Sequence, residues 1–107
     1  SVAGSANALK ARGFLALYSN NSGVLLAETL SDVICLELGR VQKPTAYQQL
    51  AVARNHRFPS ALLEMCFICN VEEYQWSIKE GNYKKSADAI TNGVLEYYRI
   101  GEKYLEY

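Results

Sequence analysis

The chain has 107 residues, the length of one domain or of part of one. Half of its residues are hydrophobic, and its eleven basic residues balance its eleven acidic ones. Phosphate binding needs a positive field, and no basic block is present, so nucleic acid is not expected as a partner. No apolar stretch is as long as a membrane span, and no signal peptide is visible at the start of the chain.

The first predicted elements are a strand and an amphipathic helix. Residues 13–19 form an apolar run typical of a strand, and the turn-forming residues 20–23 follow it. Across residues 24–38 apolar side chains recur at helical spacing, and Gly39 stands where helices commonly end. This pattern predicts a helix with one face toward the core.

The middle of the chain is predicted to lead into a central strand. Residues 40–49 are polar and contain Pro44, which predicts an irregular segment. Residues 50–54 are a candidate for a short strand. The apolar run at residues 59–70 then predicts a strand that is buried on both faces.

Two helices are predicted to complete the chain. Asn70 at the N-cap and Glu73 three positions later fit a capping box. Asn82 can cap a last helix, which Gly93 and Gly101 weaken by roughly 1 kcal/mol each unless they serve close packing or a frayed end. The order β-α-β-β-α-α predicts an α/β fold, with a sheet of mainly parallel strands flanked by helices.

One charged residue, Glu64, interrupts the predicted central strand. A buried carboxylate without a partner is costly, so such a group is usually paired, bound to a metal or protonated. Groups of this kind occur mainly at working sites, although structural ion pairs also contain them. We therefore take Glu64 as the main functional candidate, with a structural pair to Arg54 or Arg57 as the alternative.

The cysteines and the single histidine are weaker candidates. Cys35, Cys66 and Cys69 are odd in number, which argues against a closed disulfide framework. Cys66 and Cys69 have the CxxC spacing of metal and redox sites, but their place in or just after a strand favours a role as small hydrophobic residues. His56 lies in a predicted loop, where histidine is more often solvated or hydrogen-bonded than bound to metal.

Three segments of the chain are similar to one known family. In residues 54–73, RNHRFPSALLEMCFICNVEE, a loop and a proline lead to an apolar strand with a glutamate, and an asparagine turn then opens an acidic helix start. Residues 11–19 and 87–98 add a preceding strand and a closing helix. Together they resemble zinc-dependent N-acetylmuramoyl-L-alanine amidases of the amidase-3 type. The resemblance implies that residues 1–107 are a single domain or the C-terminal half of a catalytic domain.

The resemblance also implies a function. The family hydrolyses the lactyl amide of peptidoglycan between N-acetylmuramic acid and L-alanine, and Glu64 matches its general acid/base. Arg54 and Asn7 are the implied substrate-binding candidates. Zinc is the implied cofactor, peptidoglycan the implied partner, and the cell wall, extracellular space or periplasm the implied location.

The chain departs from the family where zinc should bind. Ser5 lies where a ligand histidine is expected, and a serine hydroxyl replaces imidazole poorly on zinc. The other family ligands have no counterpart after Ser1, and Cys66 stands where the family usually has glycine. We therefore expect no complete zinc site in this chain.

The departures leave two alternatives to an enzyme. The chain could be a non-catalytic relative that binds cell-wall fragments or a protein partner, or an unrelated α/β interaction module. As half of a doubly wound sheet it should leave its first strand unpaired at an apolar edge. This predicts a homodimer or pairing with a complementary N-terminal segment.

Overall fold

A computed structural model describes residues 11–53, 57–67 and 69–105, which form a mixed three-stranded sheet and its helices. The strands are β1 (Leu15–Tyr18), β2 (Ala46–Tyr47) and β3 (Leu62–Glu64), and the helices are α1 (Val24–Leu38), α2 (Val71–Ile78) and α3 (Asn82–Leu105). The strand order is β2-β1-β3, in which β1 pairs with β2 in parallel and with β3 antiparallel. The α/β class is therefore confirmed, and the described sheet is mixed rather than mainly parallel because β3 pairs antiparallel with β1. Within the described residues, no helix has the length and hydrophobicity needed to cross a membrane.

The helix boundaries agree with the local signals in the sequence. Helix α1 ends at Gly39, whose φ of 63° is left-handed and whose N–H donates to the carbonyl of Cys35. Helix α2 begins after Asn70, whose side-chain oxygen accepts from the backbone N–H groups of Glu72 and Glu73 at 3.0 and 3.3 Å. Both ends were predicted from residues within one turn of them.

The predicted strand at residues 50–54 is wrong. Ala51–Ala53 form a 3-10 helix, and the strand that pairs in parallel with β1 is β2, inside the segment predicted to be irregular. In this pair, Leu17 of β1 lies opposite Ala46 and Tyr18 lies opposite Tyr47. The strand ends at Tyr47, and beyond it a side chain holds the backbone: the Ser19 hydroxyl accepts from the N–H of Leu50 at 2.8 Å.

The hydrophobic core lies on one face of the sheet. Phe14 and Ala16 of the β1 segment are fully buried there against Leu30 and Ile34 of α1, and Ala89 brings α3 into the same cluster. Helices α1 and α3 approach closely at Gly93, where a Cβ would lie 2.7 Å from a methyl carbon of Leu30. The close packing predicted for Gly93 is confirmed, whereas nothing lies within 4 Å of a Cβ built on Gly101.

The predicted burial of the central strand on both faces is wrong. Every residue of β3 is only half-buried, and β3 is an edge strand of the described sheet. Leu63 and Met65 pack against the core cluster. Because side chains alternate along a strand, Leu62 and Glu64 project from the opposite face. The core helices pack on the face that carries Leu63.

The prediction that β1 forms an unpaired edge is also wrong, because β1 is the middle strand. Its backbone is paired on both sides by β2 and β3. In the described sheet the outer strands are β2 and β3, which are two and three residues long. Each of these outer strands is paired on one side only within the described sheet.

The turn before β1 requires glycine. Gly13 has a φ of 102°, and a Cβ there would lie 2.5 Å from the carbonyl oxygen of Val41. That oxygen is fixed, since it accepts from the N–H of Phe14 at 2.8 Å. A side chain at position 13 must therefore displace backbone.

We expect Gly13→Ala to lower the free energy of unfolding by about 2 kcal/mol or more, because alanine is strained at positive φ. Gly101→Ala is the matched control, and we expect it to be neutral or stabilising by up to about 1 kcal/mol because it removes a helical glycine from open space. Urea denaturation of both variants measures the difference. Equal stability of the two would contradict the strain assigned to position 13.

Candidate active site

Glu64 ends β3 with its carboxylate on the face away from the core cluster. Leu15 of β1 lies opposite it in the antiparallel ladder. Among the described residues, no hydrogen bond or ion pair is made to the Glu64 carboxylate. A half-buried carboxylate without such a partner is free to accept a proton or to contact a ligand, as a catalytic base must.

Several predicted site residues lie outside the described residues. These are Asn7, Ser5, Arg54 and His56. Arg57, which was the other cation considered as a partner for Glu64, is exposed. The structure therefore describes Glu64 without the residues predicted to surround it, and their roles stay predictions.

A second glutamate, Glu73 in the first turn of α2, forms a buried ion pair. Its Oε2 accepts from Nη2 of Arg40 at 2.5 Å, and the two side chains are only 7% and 9% exposed. The Arg40 guanidinium also lies over the Trp76 ring, 4.2 Å from its centroid. The Nε of Arg40 is buried without a partner among the described residues, so the group is held through Nη2 and this stacking.

The Glu73 carboxylate also connects the segment before β1 with the segment after β3. Its Oε1 accepts from the N–H of Gly13 at 2.7 Å and from the N–H of Phe67 at 3.4 Å. The Arg40 Nη2 reaches the carbonyl of Met65 at 3.4 Å. The pair therefore contacts the backbone on both sides of the place where β1 and β3 separate, directly after Glu64.

The capping box predicted for Glu73 is only half formed. Asn70 caps α2 as predicted, but its own N–H donates to the Phe67 carbonyl at 3.0 Å and not to Glu73. Glu73 is used in the ion pair with Arg40, which is 33 residues away in the chain. No local pattern indicates that contact, because only the fold brings the C-terminal end of α1 beside α2.

The three cysteines are buried or half-buried. Cys35 and Cys66 are buried and Cys69 is half-buried. Burial raises the pKa of the Cys35 thiol, with a hydrogen bond to Ser31 and the charge of Arg40 acting in the opposite direction. Cys66 lines a mostly apolar cleft of about 320 Å³ together with Met65 and Trp76. These surroundings suit thiols that pack as small hydrophobic side chains.

The described residues do not fit a zinc ion. Across residues 11–53, 57–67 and 69–105, no group of three histidine, cysteine, aspartate or glutamate side chains is placed to hold a metal. Catalytic zinc takes three such protein ligands and one open position. Cys66 and Cys69 thus gain no further ligand from the described part of the chain.

Comparison with known proteins identifies the family to which this chain belongs. The sequence profile of the family Amidase_3, N-acetylmuramoyl-L-alanine amidase, matches residues 3–96. The chain therefore belongs to the Amidase_3 family. No curated protein sequence matches it significantly.

Solved structures of amidases share the fold. The N-acetylmuramoyl-L-alanine amidase from Clostridium difficile 630 is 26% identical with a TM-score of 0.81, and 92% of this chain covers 54% of that one. The CwlV catalytic domain from Bacillus (Paenibacillus) polymyxa var. colistinus has the same TM-score and coverage at 21% identity. The CwlD amidase from Clostridioides difficile, solved with the GerS lipoprotein, is 19% identical with a TM-score of 0.75, and 86% of this chain covers 49% of it. The chain thus spans about half the length of the structures it matches.

We expect zinc titration of this chain to show no tight site, because the described residues assemble no ligand set. Structural zinc sites have apparent binding free energies of about 10–16 kcal/mol, which calorimetry detects readily. A tight site that is lost in Cys66→Ser, Cys69→Ser or His56→Ala would overturn this expectation. It would also assign metal binding to the CxxC pair or to the histidine.

Proposed function

We propose that this chain supplies the C-terminal half of a catalytic domain that hydrolyses the amide between N-acetylmuramic acid and L-alanine in peptidoglycan. One observation carries the proposal. In a chain of the Amidase_3 family, Glu64 ends an edge strand with a carboxylate that has no partner among the described residues. Its substrate places its action at the cell wall, extracellularly or in the periplasm.

The proposed chemistry assigns two proton transfers to Glu64. As a base, its carboxylate takes a proton from the water that attacks the lactyl carbonyl, so that a C–O bond forms. As an acid, it gives that proton to the L-alanine nitrogen when the C–N bond breaks. The products are the lactyl carboxylic acid and a free amine, and Glu64 returns to its starting state. Arg54 and Asn7 are proposed to bind the substrate.

Zinc is the cofactor implied by the resemblance, and as a Lewis acid it would polarise the amide carbonyl. The described residues offer it no cluster of ligands. Our proposal for this chain is therefore limited to what Glu64 does.

One feature favours a second candidate function, a non-catalytic protein that binds cell-wall fragments. Ser5 stands where the family resemblance expects a ligand histidine. A protein that has lost a metal ligand can keep its fold and its affinity for peptidoglycan while it loses hydrolysis. Binding to peptidoglycan without release of amines would select this function.

We expect Glu64→Gln to lower amide hydrolysis by at least about 100-fold, the usual contribution of a general acid/base. The assay follows new amino groups released from purified peptidoglycan by the whole catalytic domain to which the proposal assigns this chain, with zinc added. Glu80→Gln is the matched control, because Glu80 is an exposed glutamate in the turn before α3. We expect it to have wild-type activity.

The outcomes separate the candidates. Hydrolysis that survives Glu64→Gln would contradict the proposed chemistry. A whole wild-type domain that binds peptidoglycan but releases no amine would exclude the catalytic proposal and support the binding function.

We also propose that the outer side of β3 pairs with a further strand, from a second copy or from a complementary N-terminal segment. The motivating feature is that β3 is half-buried and is paired on one side only in the described sheet. Light scattering across a concentration series should show a dimer when no complementary segment is present. A well-folded monomer at high concentration would contradict this pairing.

A further inference from the structure

We propose that Arg40 and Glu73 are positioning residues for Glu64: their buried ion pair fixes the backbone at the end of β3 from which the Glu64 side chain projects. The inference rests on the proposed catalytic role of Glu64. It assigns a role in the reaction to two residues that touch neither substrate nor reacting atoms.

The ion pair lies close to the end of the ladder between β1 and β3, where Glu64 is located. The antiparallel ladder runs from Leu17 opposite Leu62 to Leu15 opposite Glu64, and it ends there. Beyond this end, Gly13 continues on the β1 side and Phe67 on the β3 side. Glu73 Oε1 accepts from the N–H of both. The carboxylate therefore joins the two chains where they no longer pair directly.

Arg40 adds a contact even closer to Glu64. Its Nη2 lies 3.4 Å from the carbonyl oxygen of Met65, the residue that follows Glu64. The same Nη2 holds Glu73, and the guanidinium is stacked on Trp76. The backbone after Glu64 is thus linked to the end of α1 and to the first two turns of α2.

This link matters because β3 is a three-residue edge strand. Short edges fray, and a displacement of about 1 Å at a catalytic group can cost about 100-fold in rate. Proton transfer by Glu64 requires its carboxylate to lie within hydrogen-bond reach of water and leaving group. The ion pair meets that requirement through its bonds to the backbone of Gly13, Met65 and Phe67, without any contact to the Glu64 carboxylate.

The other ion pairs of the described residues do not have this character. Lys84 with Asp88, Arg99 with Glu96 and the loose pair of Arg12 with Glu72 lie on the surface, where such pairs contribute little. Among the described residues, the Arg40–Glu73 pair is the one in which both side chains are buried. Buried pairs are often no more stabilising than apolar residues of similar size, so retention of this pair agrees with a role in positioning.

The test compares Glu73→Gln with Glu72→Gln. Glu72 lies in the same first turn of α2, so its substitution makes the same change in charge and helix environment. Its side chain is 79% exposed, and its one ion pair among the described residues is a loose one, with 4.0 Å between its Oε2 and Nη2 of Arg12. In Glu73→Gln we expect exchange broadening of the Glu64 and Met65 amides by ¹⁵N relaxation, with the Leu30 and Ile34 amides of the core unchanged. Glu72→Gln should match wild type.

The kinetic readout is a split between kcat and KM. In the amine-release assay, we expect Glu73→Gln to lower kcat about tenfold or more while KM stays within about twofold, because binding groups are untouched and the proton-transfer group is displaced. Glu72→Gln should leave both parameters unchanged.

Arg40→Lys keeps the test decisive if Glu73→Gln does not fold. Lysine keeps the positive charge but has no planar guanidinium that can stack on Trp76 and bond Glu73 at the same time. We therefore expect the same local broadening to a smaller extent. Unchanged Glu64 and Met65 amides in a folded variant, or equal broadening throughout the chain, would overturn the positioning role. Relaxation needs no substrate, so a fully active Glu64→Gln beside local broadening in Glu73→Gln would reject the proposed function instead.

Discussion

The buried pair of Arg40 and Glu73 is the interaction on which the arrangement of this half-domain depends. Removing one partner from such a pair typically costs about 3–5 kcal/mol, because the other charge is left buried. Glu73 avoids this cost through Arg40 and two backbone N–H groups, those of Gly13 and Phe67. The start of β1, the end of α1, the segment after β3 and the first turn of α2 must all converge for these bonds to form. A single carboxylate therefore imposes the relative positions of four segments.

The contrast between Glu73 and Glu64 explains how one short segment can carry both a structural and a candidate catalytic carboxylate. Glu73 is surrounded by donors and is buried, whereas Glu64 is half-buried on the opposite face of the sheet from the core cluster and has no partner among the described residues. The strand alternation sends Leu63 and Met65 into the core and leaves Glu64 outside it. The structural glutamate can then hold the backbone of the candidate catalytic one without competing for the same groups.

Membership of the Amidase_3 family and the half-length match give this arrangement its context. The part of the chain described by the structure contributes the strand with Glu64 and the helices that support it, but no cluster of metal ligands. This arrangement suits a catalytic domain in which the proton-transfer residue and the metal ligands lie in different segments of the chain. The family resemblance implies that this sequence departs from the family pattern at Ser5 and at Cys66.

The sequence by itself determined the elements whose signals are local. Apolar periodicity and Gly39 indicate α1, Asn70 indicates the start of α2, and the glutamate in an apolar run drew attention to Glu64. Only the tertiary structure decided that β2 lies at Ala46–Tyr47, that β3 is a half-buried edge strand, and that Glu73 pairs with Arg40 rather than completing a capping box. The physical reason is range: caps and helical spacing act within one or two turns, whereas strand pairing and buried ion pairs join residues that only the folded chain brings together.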